Sequence, residues 1–269
     1  MRVRLFLTLA KQTLRRNYVK KVFVAVAVVL LSTLALAAQK PKTSQHLQGN
    51  PNAAWKLAPP GTPPALCSPC LFYGGDLAPS NLNAAGMSDE NTLLISDGGS
   101  NTYGAVKLTR NVVVSGILVN VQASAAFDPQ TANYDIRTGV SDGNGGTDVA
   151  SGSGTVQVAT TGRNFLGLNE FTVEVPVNPP QVLSAGTYWF SVQPQCTNTL
   201  DGSCSVGRIF VSNTLFGTNN VAGTAQPVNQ MYFNSAFFGF TYTNWCDSSL
   251  GFNSFQCGLM SFGLVGNAD

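Results

Sequence analysis

The sequence predicts an all-β domain, an antiparallel β-sandwich, that follows an export signal and a proline-rich linker. Short β-branched and aromatic runs alternate with clusters of Gly, Asn, Asp and Ser, and the clearest of these runs have an apolar period of two. No segment with a helical period separates them, which favours antiparallel neighbours over a parallel α/β sheet. We therefore expect one sandwich domain at residues 67–269, which is long enough to bury a full core.

The first 37 residues have the order of a signal peptide. Seven Lys or Arg and no acidic residue precede the apolar run Val22–Ala38, and Ala35 and Ala37 offer the small side chains that signal peptidase accepts. The segment 1–37 is therefore predicted to be removed, leaving a mature chain that begins at Ala38. The sequence predicts a secreted or periplasmic protein.

Two alternatives stay open at this end of the chain. The apolar run has about 17 residues, the lower limit for crossing a bilayer, so an uncleaved N-terminal anchor is one of them. The other is export by the twin-arginine route, because Leu14–Lys20 resembles a twin-arginine motif. The strongly apolar run is typical of Sec signals instead.

Residues 38–66 are predicted to form a linker. Seven of the 14 prolines lie between Pro41 and Pro69. Proline interrupts both helices and strand ladders, and apolar residues such as Trp55 and Leu66 are too sparse to build a core.

The charge of the mature chain argues against nucleic acid as a partner. Seven of the 15 Lys and Arg residues lie in the signal segment, which leaves eight against 13 Asp and Glu, a net charge of about −5. We expect no membrane attachment once the signal is removed. The remaining partners to consider are surface glycans and other exterior proteins.

Two strands show the alternation most clearly. They are Leu168–Val175 and Thr187–Gln193, and in the first of them Glu170 and Glu174 share the polar face, which we expect to be solvated. The residues expected to face the core are Phe171, Val173 and Val175 in the first strand, and Tyr188, Phe190 and Val192 in the second. Further strands are predicted at Val112–Gln122, Thr155–Thr160, Arg208–Ser212 and Phe237–Thr243, with loops at Ser141–Gly146 and Thr218–Thr224.

Three short stretches resemble a group of secreted bacterial β-sandwich proteins that have no assigned function. They are Tyr134–Val140 with the following Gly143–Thr147, Leu183–Trp189, and Phe262–Gly266, which are similar to the "IR-G…GNGGT", "L-AGTYW" and final-strand motifs of that group. The resemblance implies a jelly-roll-like sandwich. It implies no catalytic or ligand-binding residue.

Six cysteines in an exported domain predict disulfides. They form three local pairs, and although fifteen connectivities are possible, local pairing is the simplest. Cys67 and Cys70 have the spacing of a redox motif, but they follow a proline-rich linker and not a strand that leads into a helix, so we interpret them as structural. A zinc site lacks a second pair of this spacing and a nearby histidine. The predicted pairs are Cys67–Cys70, Cys196–Cys204 and Cys246–Cys257.

No catalytic constellation is evident, and we predict no catalytic residue and no cofactor. The only histidine, His46, lies in the linker, so a Ser-His-Asp or Cys-His arrangement has no base. Glu170 and Glu174 are about 13 Å apart along an extended strand, beyond the usual glycosidase spacings.

Two features could bind a ligand, and each has a structural alternative. The loop Asp142–Asp148 carries the oxygen donors and glycines of a calcium loop, but the same residues are typical of hairpin turns. Tyr242, Trp245 and Phe252 could stack on sugar rings, or they could belong to the core.

The sequence thus predicts a secreted, non-enzymatic structural or interaction module. A carbohydrate-binding module that uses the loop aromatics, with or without calcium, is the alternative. An extracellular hydrolase is the least supported class.

Overall fold

The structure is a computed structural model, and it describes residues 63–77, 100–165, 167–195, 209–214, 224–236, 239–244 and 259–269. Within these ranges every regular element is a β-strand, and no helix is long and apolar enough to cross a membrane. The strands are β1 (Cys70–Tyr73), β2 (Asn101–Leu108), β3 (Val112–Ala123), β4 (Thr131–Thr138), β5 (Thr147–Thr155), β6 (Gln157–Phe165), β7 (Leu168–Leu183), β8 (Gly186–Gln195), β9 (Phe210–Val211), β10 (Asn213–Thr214), β11 (Ala225–Ser235), β12 (Phe240–Asn244), β13 (Leu259–Met260) and β14 (Phe262–Ala268).

The strands form two main sheets in which neighbours are antiparallel. The first sheet has the order β1-β14-β3-β7-β6, and β9 also pairs with β3. The second sheet has the order β12-β11-β2-β8-β4-β5. A separate small pair joins β10 and β13.

Eight of these strands have the connectivity of a jelly roll. The chain changes sheet between β1, β2, β3 and β4, returns to the first sheet for β7, crosses again for β8 and ends in β14. The resulting orders are β1-β14-β3-β7 in one sheet and β2-β8-β4-β5 in the other, a double-sheet arrangement of antiparallel strands. The predicted antiparallel, jelly-roll-like β-sandwich is therefore confirmed.

The hydrophobic core lies between the two sheets. Phe262 of β14 stacks on Phe190 of β8 with ring centroids 6.0 Å apart, and it also contacts Phe72 of β1 at 5.3 Å. The residues predicted to face the core from β7 and β8 are all buried in it. Each large apolar side chain buried in this way contributes about 1.5–3 kcal/mol.

The opposite face of β7 is buried as well, so the predicted solvation of Glu170 and Glu174 is wrong. Their exposed fractions are 0% and 9%. A two-residue period identifies the residues that share a face, but it does not reveal what covers that face. Here Leu118 of β3, directly opposite Glu174, is buried in a cluster with Tyr73 and Val265.

The predicted Cys67–Cys70 disulfide is present, with a Cα–Cα distance of 4.6 Å. Cys67 is buried in the same cluster as Leu118, and Cys70 begins β1. The bridge thus precedes a strand, as the structural interpretation requires, and it lacks the helix N-terminus of a redox site. The other four cysteines lie outside the described residues.

One predicted strand is wrong in its boundaries. Thr155–Thr160 spans the end of β5 and the start of β6, which belong to different sheets. The chain crosses between the sheets at Val156, whose N–H donates to the carbonyl of Gln130 at 3.2 Å. An apolar and β-branched run does not show whether its residues stay in one sheet.

Candidate functional site

Of the three predicted glycan-platform residues, the structure places only Tyr242. It lies on β12, is half-buried, and contacts Tyr103 with ring centroids 5.5 Å apart. The guanidinium carbon of Arg137 lies 5.6 Å from the centroid of the Tyr242 ring. Both neighbours belong to this chain, so the ring packs inside the protein more than it offers a free platform. Trp245 and Phe252 lie outside the described residues, as does His46.

The loop Asp142–Asp148 forms a turn that is tied to β12. Asp142 Oδ1 accepts the Asn244 N–H at 2.6 Å, and Asn144 Oδ1 accepts the Gly146 N–H at 2.9 Å. The Asp148 carboxylate accepts a bond from the Ser151 hydroxyl at 3.0 Å. These oxygens are hydrogen-bonded within the chain, and the described ranges contain no group of three or more His, Cys, Asp or Glu arranged to hold a metal ion. The geometry therefore favours the turn over a calcium loop.

Arg163 organises a buried ionic group on the outer face of the first sheet. It pairs with Glu170, and its Nη1 lies 3.0 Å from Asp76 Oδ1. The Tyr73 hydroxyl donates to the same Asp76 oxygen at 2.7 Å. Burial raises the pKa of Asp76, although the bond from Tyr73 and the charge of Arg163 oppose this effect. This group fastens β1 and its following turn to the sheet, and Asp76 and Glu170 share the Arg163 guanidinium.

A groove of about 450 Å³ crosses the outer face of the second sheet. Period-two alternation on β4 turns its odd-numbered residues to this face, while Tyr134 and Ile136 face the core. Strand register then places side chains from β5, β4 and β8 in rows. The lining residues are Asn101, Asn133, Tyr134, Asp135, Arg137, Asp148, Ser151, Gly152, Ser153, Ser191 and Gln193.

Asp135 is held at the groove by two donors to one of its oxygens. The Tyr103 hydroxyl donates to Asp135 Oδ2 at 2.8 Å, and Arg137 Nε donates to the same oxygen at 2.6 Å. Burial, together with the negative charge on Asp135, raises the pKa of Tyr103, so its hydroxyl stays a donor. Asp135 Oδ1 has no hydrogen-bond partner among the described residues.

Ser191 lies directly opposite Asp135, on the neighbouring strand β8. Its exposed fraction is 2%, and within the described ranges its Oγ has no hydrogen-bond partner. A buried oxygen without a partner costs about 1–3 kcal/mol. Asp135 Oδ1 and Ser191 Oγ are thus two buried oxygens without described partners, and their residues pair across β4 and β8 and line the groove.

Among the described residues that line the groove, the one guanidinium is hydrogen-bonded within the chain. Arg137 donates to Asp135 through Nε and to the Gly145 carbonyl through Nη1 at 3.1 Å, and it lies over the Tyr242 ring. Burial lowers the pKa of Arg137, but the hydrogen bond and charge of Asp135 raise it by more, so it stays charged. With Asp135 and Asp148 also lining the groove, the charges sum to about −1.

The sequence interpretation missed this groove. On β4 the two-residue period puts Asn133, Asp135 and Arg137 on one face, and this period is the sequence signal for the groove. Ser191 follows more than fifty residues later, and only the β4–β8 register joins it to Asp135.

No protein-family model, no curated protein and no solved structure matches this chain. The resemblance to secreted bacterial β-sandwich proteins therefore stays a prediction.

Proposed function

We propose that this protein is an exported, non-enzymatic interaction module whose groove on the second sheet binds carbohydrate. The observation that carries the proposal is the pair of buried, unpartnered oxygens, Asp135 Oδ1 and Ser191 Oγ, at the groove. The Cys67–Cys70 bridge supports an oxidising exterior, as does the basic and apolar order of residues 1–37.

The chemistry of the lining suits a sugar. A sugar hydroxyl both donates and accepts, so sugar hydroxyls can match the acceptor Asp135 Oδ1 and the Ser191 hydroxyl alike. Asn101, Asn133 and Ser153 add further amide and hydroxyl groups along the rim. The volume of about 450 Å³ lies within the range of ligand sites.

Binding without chemistry is supported by the state of the two groove carboxylates. Glycoside hydrolysis needs one carboxyl group as acid and a second as base or nucleophile. Asp135 Oδ2 already accepts from Tyr103 and Arg137, and Asp148 lies on the exposed edge strand β5 with a bond from Ser151. Release of reducing ends from a retained polysaccharide would overturn this part of the proposal.

The test is retention of the purified protein, with its disulfides intact, on a glycan array, followed by titration calorimetry. The Ser191→Ala variant removes one hydroxyl and should bind about 3- to 10-fold more weakly, the worth of one hydrogen bond. Ser184→Ala, an exposed serine in the turn between β7 and β8, is the matched control and should bind as the parent does.

A chelator distinguishes binding by the groove from calcium-dependent binding by the loop Asp142–Asp148. Because Asp142, Asn144 and Asp148 bond within the chain, retention should persist when the chelator is present. Loss of retention that added calcium restores would move the site to the loop Asp142–Asp148. No retention on any glycan, or equal affinities for the parent and Ser191→Ala, would overturn the groove proposal.

A further inference from the structure

The charge of the groove affects which saccharides it can bind. Asp135 and Asp148 contribute carboxylates, whereas Arg137 donates to Asp135 through Nε and to the Gly145 carbonyl through Nη1. The domain around it is acidic too, because the mature chain has eight Lys and Arg against 13 Asp and Glu. Among the described residues that line the groove, the single cationic side chain is therefore already paired with a carboxylate.

We propose that the groove selects uncharged saccharides and rejects those that carry carboxylates, with Asp135 as the residue that determines this specificity. The inference rests on the proposed function, since it concerns the ligand of the same groove. Asp135 Oδ1 is a lone-pair acceptor, so it requires an O–H or N–H donor from the ligand. A ligand carboxylate would bring a second acceptor and a like charge to the same place.

Tyr103 acts as a positioning residue for Asp135. Its hydroxyl and Arg137 Nε both donate to Oδ2, which fixes the carboxylate and leaves Oδ1 as the oxygen without a described partner. Tyr103 is buried, with an exposed fraction of 2%. Its hydroxyl contacts the groove through its hydrogen bond to Asp135. Its loss should loosen Asp135 without changing the charge of the groove.

Matched polymers make the test independent of the ligand's identity. The probes are cellulose, β-1,3-glucan and galactan, each paired with the same polymer after its primary alcohols have been oxidised to carboxylates. Retention of the parent protein on a neutral polymer, at least tenfold tighter than on its oxidised partner, would support the inference. Equal or tighter retention on the oxidised partner would overturn it and leave the proposed function standing. Retention on neither member of any pair would overturn both.

Variants assign the discrimination to Asp135. Asp135→Asn keeps the side-chain volume and removes the charge, so the ratio between neutral and oxidised polymers should fall severalfold, even though binding of the neutral polymer also weakens. Tyr103→Phe should weaken binding of the neutral polymer while the ratio stays near that of the parent, an outcome that a general loss of structure would not give. An unchanged ratio in Asp135→Asn would overturn the assignment.

A second variant protects the test if Asp135→Asn does not fold. Asp148→Asn removes the other groove carboxylate from the exposed strand β5, where substitutions are tolerated best. Its ratio should fall by less than that of Asp135→Asn, and added salt should reduce the remaining discrimination because the Asp148 charge is exposed. A ratio that responds neither to Asp148→Asn nor to salt would count against charge as the basis of selection.

Discussion

Arg163 Nη1 lies 3.0 Å from Asp76 Oδ1, and this ion pair joins the segment after β1 to the β6–β7 hairpin. The same guanidinium pairs with Glu170, whose exposed fraction is 0%. Two carboxylates thus depend on one buried cation.

Replacing Arg163 with Met should destabilise the protein by about 3–5 kcal/mol, because it leaves buried carboxylates without their cation. The free energy of unfolding from urea titration measures this effect. The control is Arg110→Met, which alters an exposed arginine and should change stability by less than about 0.5 kcal/mol. Equal effects of the two substitutions would contradict the structural role of the ionic group.

Replacing Glu174 with Gln should stabilise the protein at neutral pH and have little effect in acid. Burial raises the pKa of Glu174 above its ordinary value of 4.5, so its folded form holds the proton to a higher pH than its unfolded form. The contribution of the Glu174 carboxyl to the free energy of unfolding is therefore fully present below pH 4.5, and it is lost as the pH rises through the folded pKa. Urea midpoints of the parent and variant at pH 4 and pH 7 measure the difference. A difference in urea midpoint between variant and parent that is smaller at pH 7 than at pH 4 would contradict this prediction.

Replacing Gly145 with Ala should cost about 1–3 kcal/mol from overpacking. A Cβ atom there would stand 2.6 Å from Cε2 and 2.7 Å from the hydroxyl oxygen of Tyr242. Thermal or urea unfolding measures the loss, and in the Tyr242→Ala background the same replacement should cost little. Gly143→Ala serves as the control, because open space surrounds that position and only its φ of +70° resists the change.

The remaining cysteines should form the local bridges Cys196–Cys204 and Cys246–Cys257. Peptide mapping without reduction should find these two cross-links beside Cys67–Cys70, and thiol titration of the denatured protein should find no free cysteine. A cross-link from Cys204 to Cys246 would refute local pairing and would join two segments that the sequence interpretation keeps apart.

Local alternation was sufficient to predict much of the sandwich. Val173 and Val192 illustrate why: each sits between polar neighbours on a strand that contributes one face to the core, so its direction follows from sequence spacing alone. The jelly-roll topology was expected only through family resemblance, because the partners of β14 are set by contacts distant in sequence.

The outer faces could not be predicted in the same way. Glu170 is buried because Arg163 and Thr161 supply its partners, and Asp135 belongs to a groove because Ser191 lies opposite it on another strand. A charged residue on an alternating strand looks solvated in isolation. Its true surroundings depend on which strands become neighbours, and the sequence pattern does not encode that choice locally.

The position of β14 has a consequence for biosynthesis. This strand lies between β1 and β3, so Val265 pairs with Cys70, which lies near the other end of the domain sequence. During translation β1 emerges first and stays without its sheet partner until residues 262–268 have been synthesised. Closing so long a loop is also slow. The order of synthesis therefore keeps the nascent chain from completing its first sheet until residues 262–268 have been made.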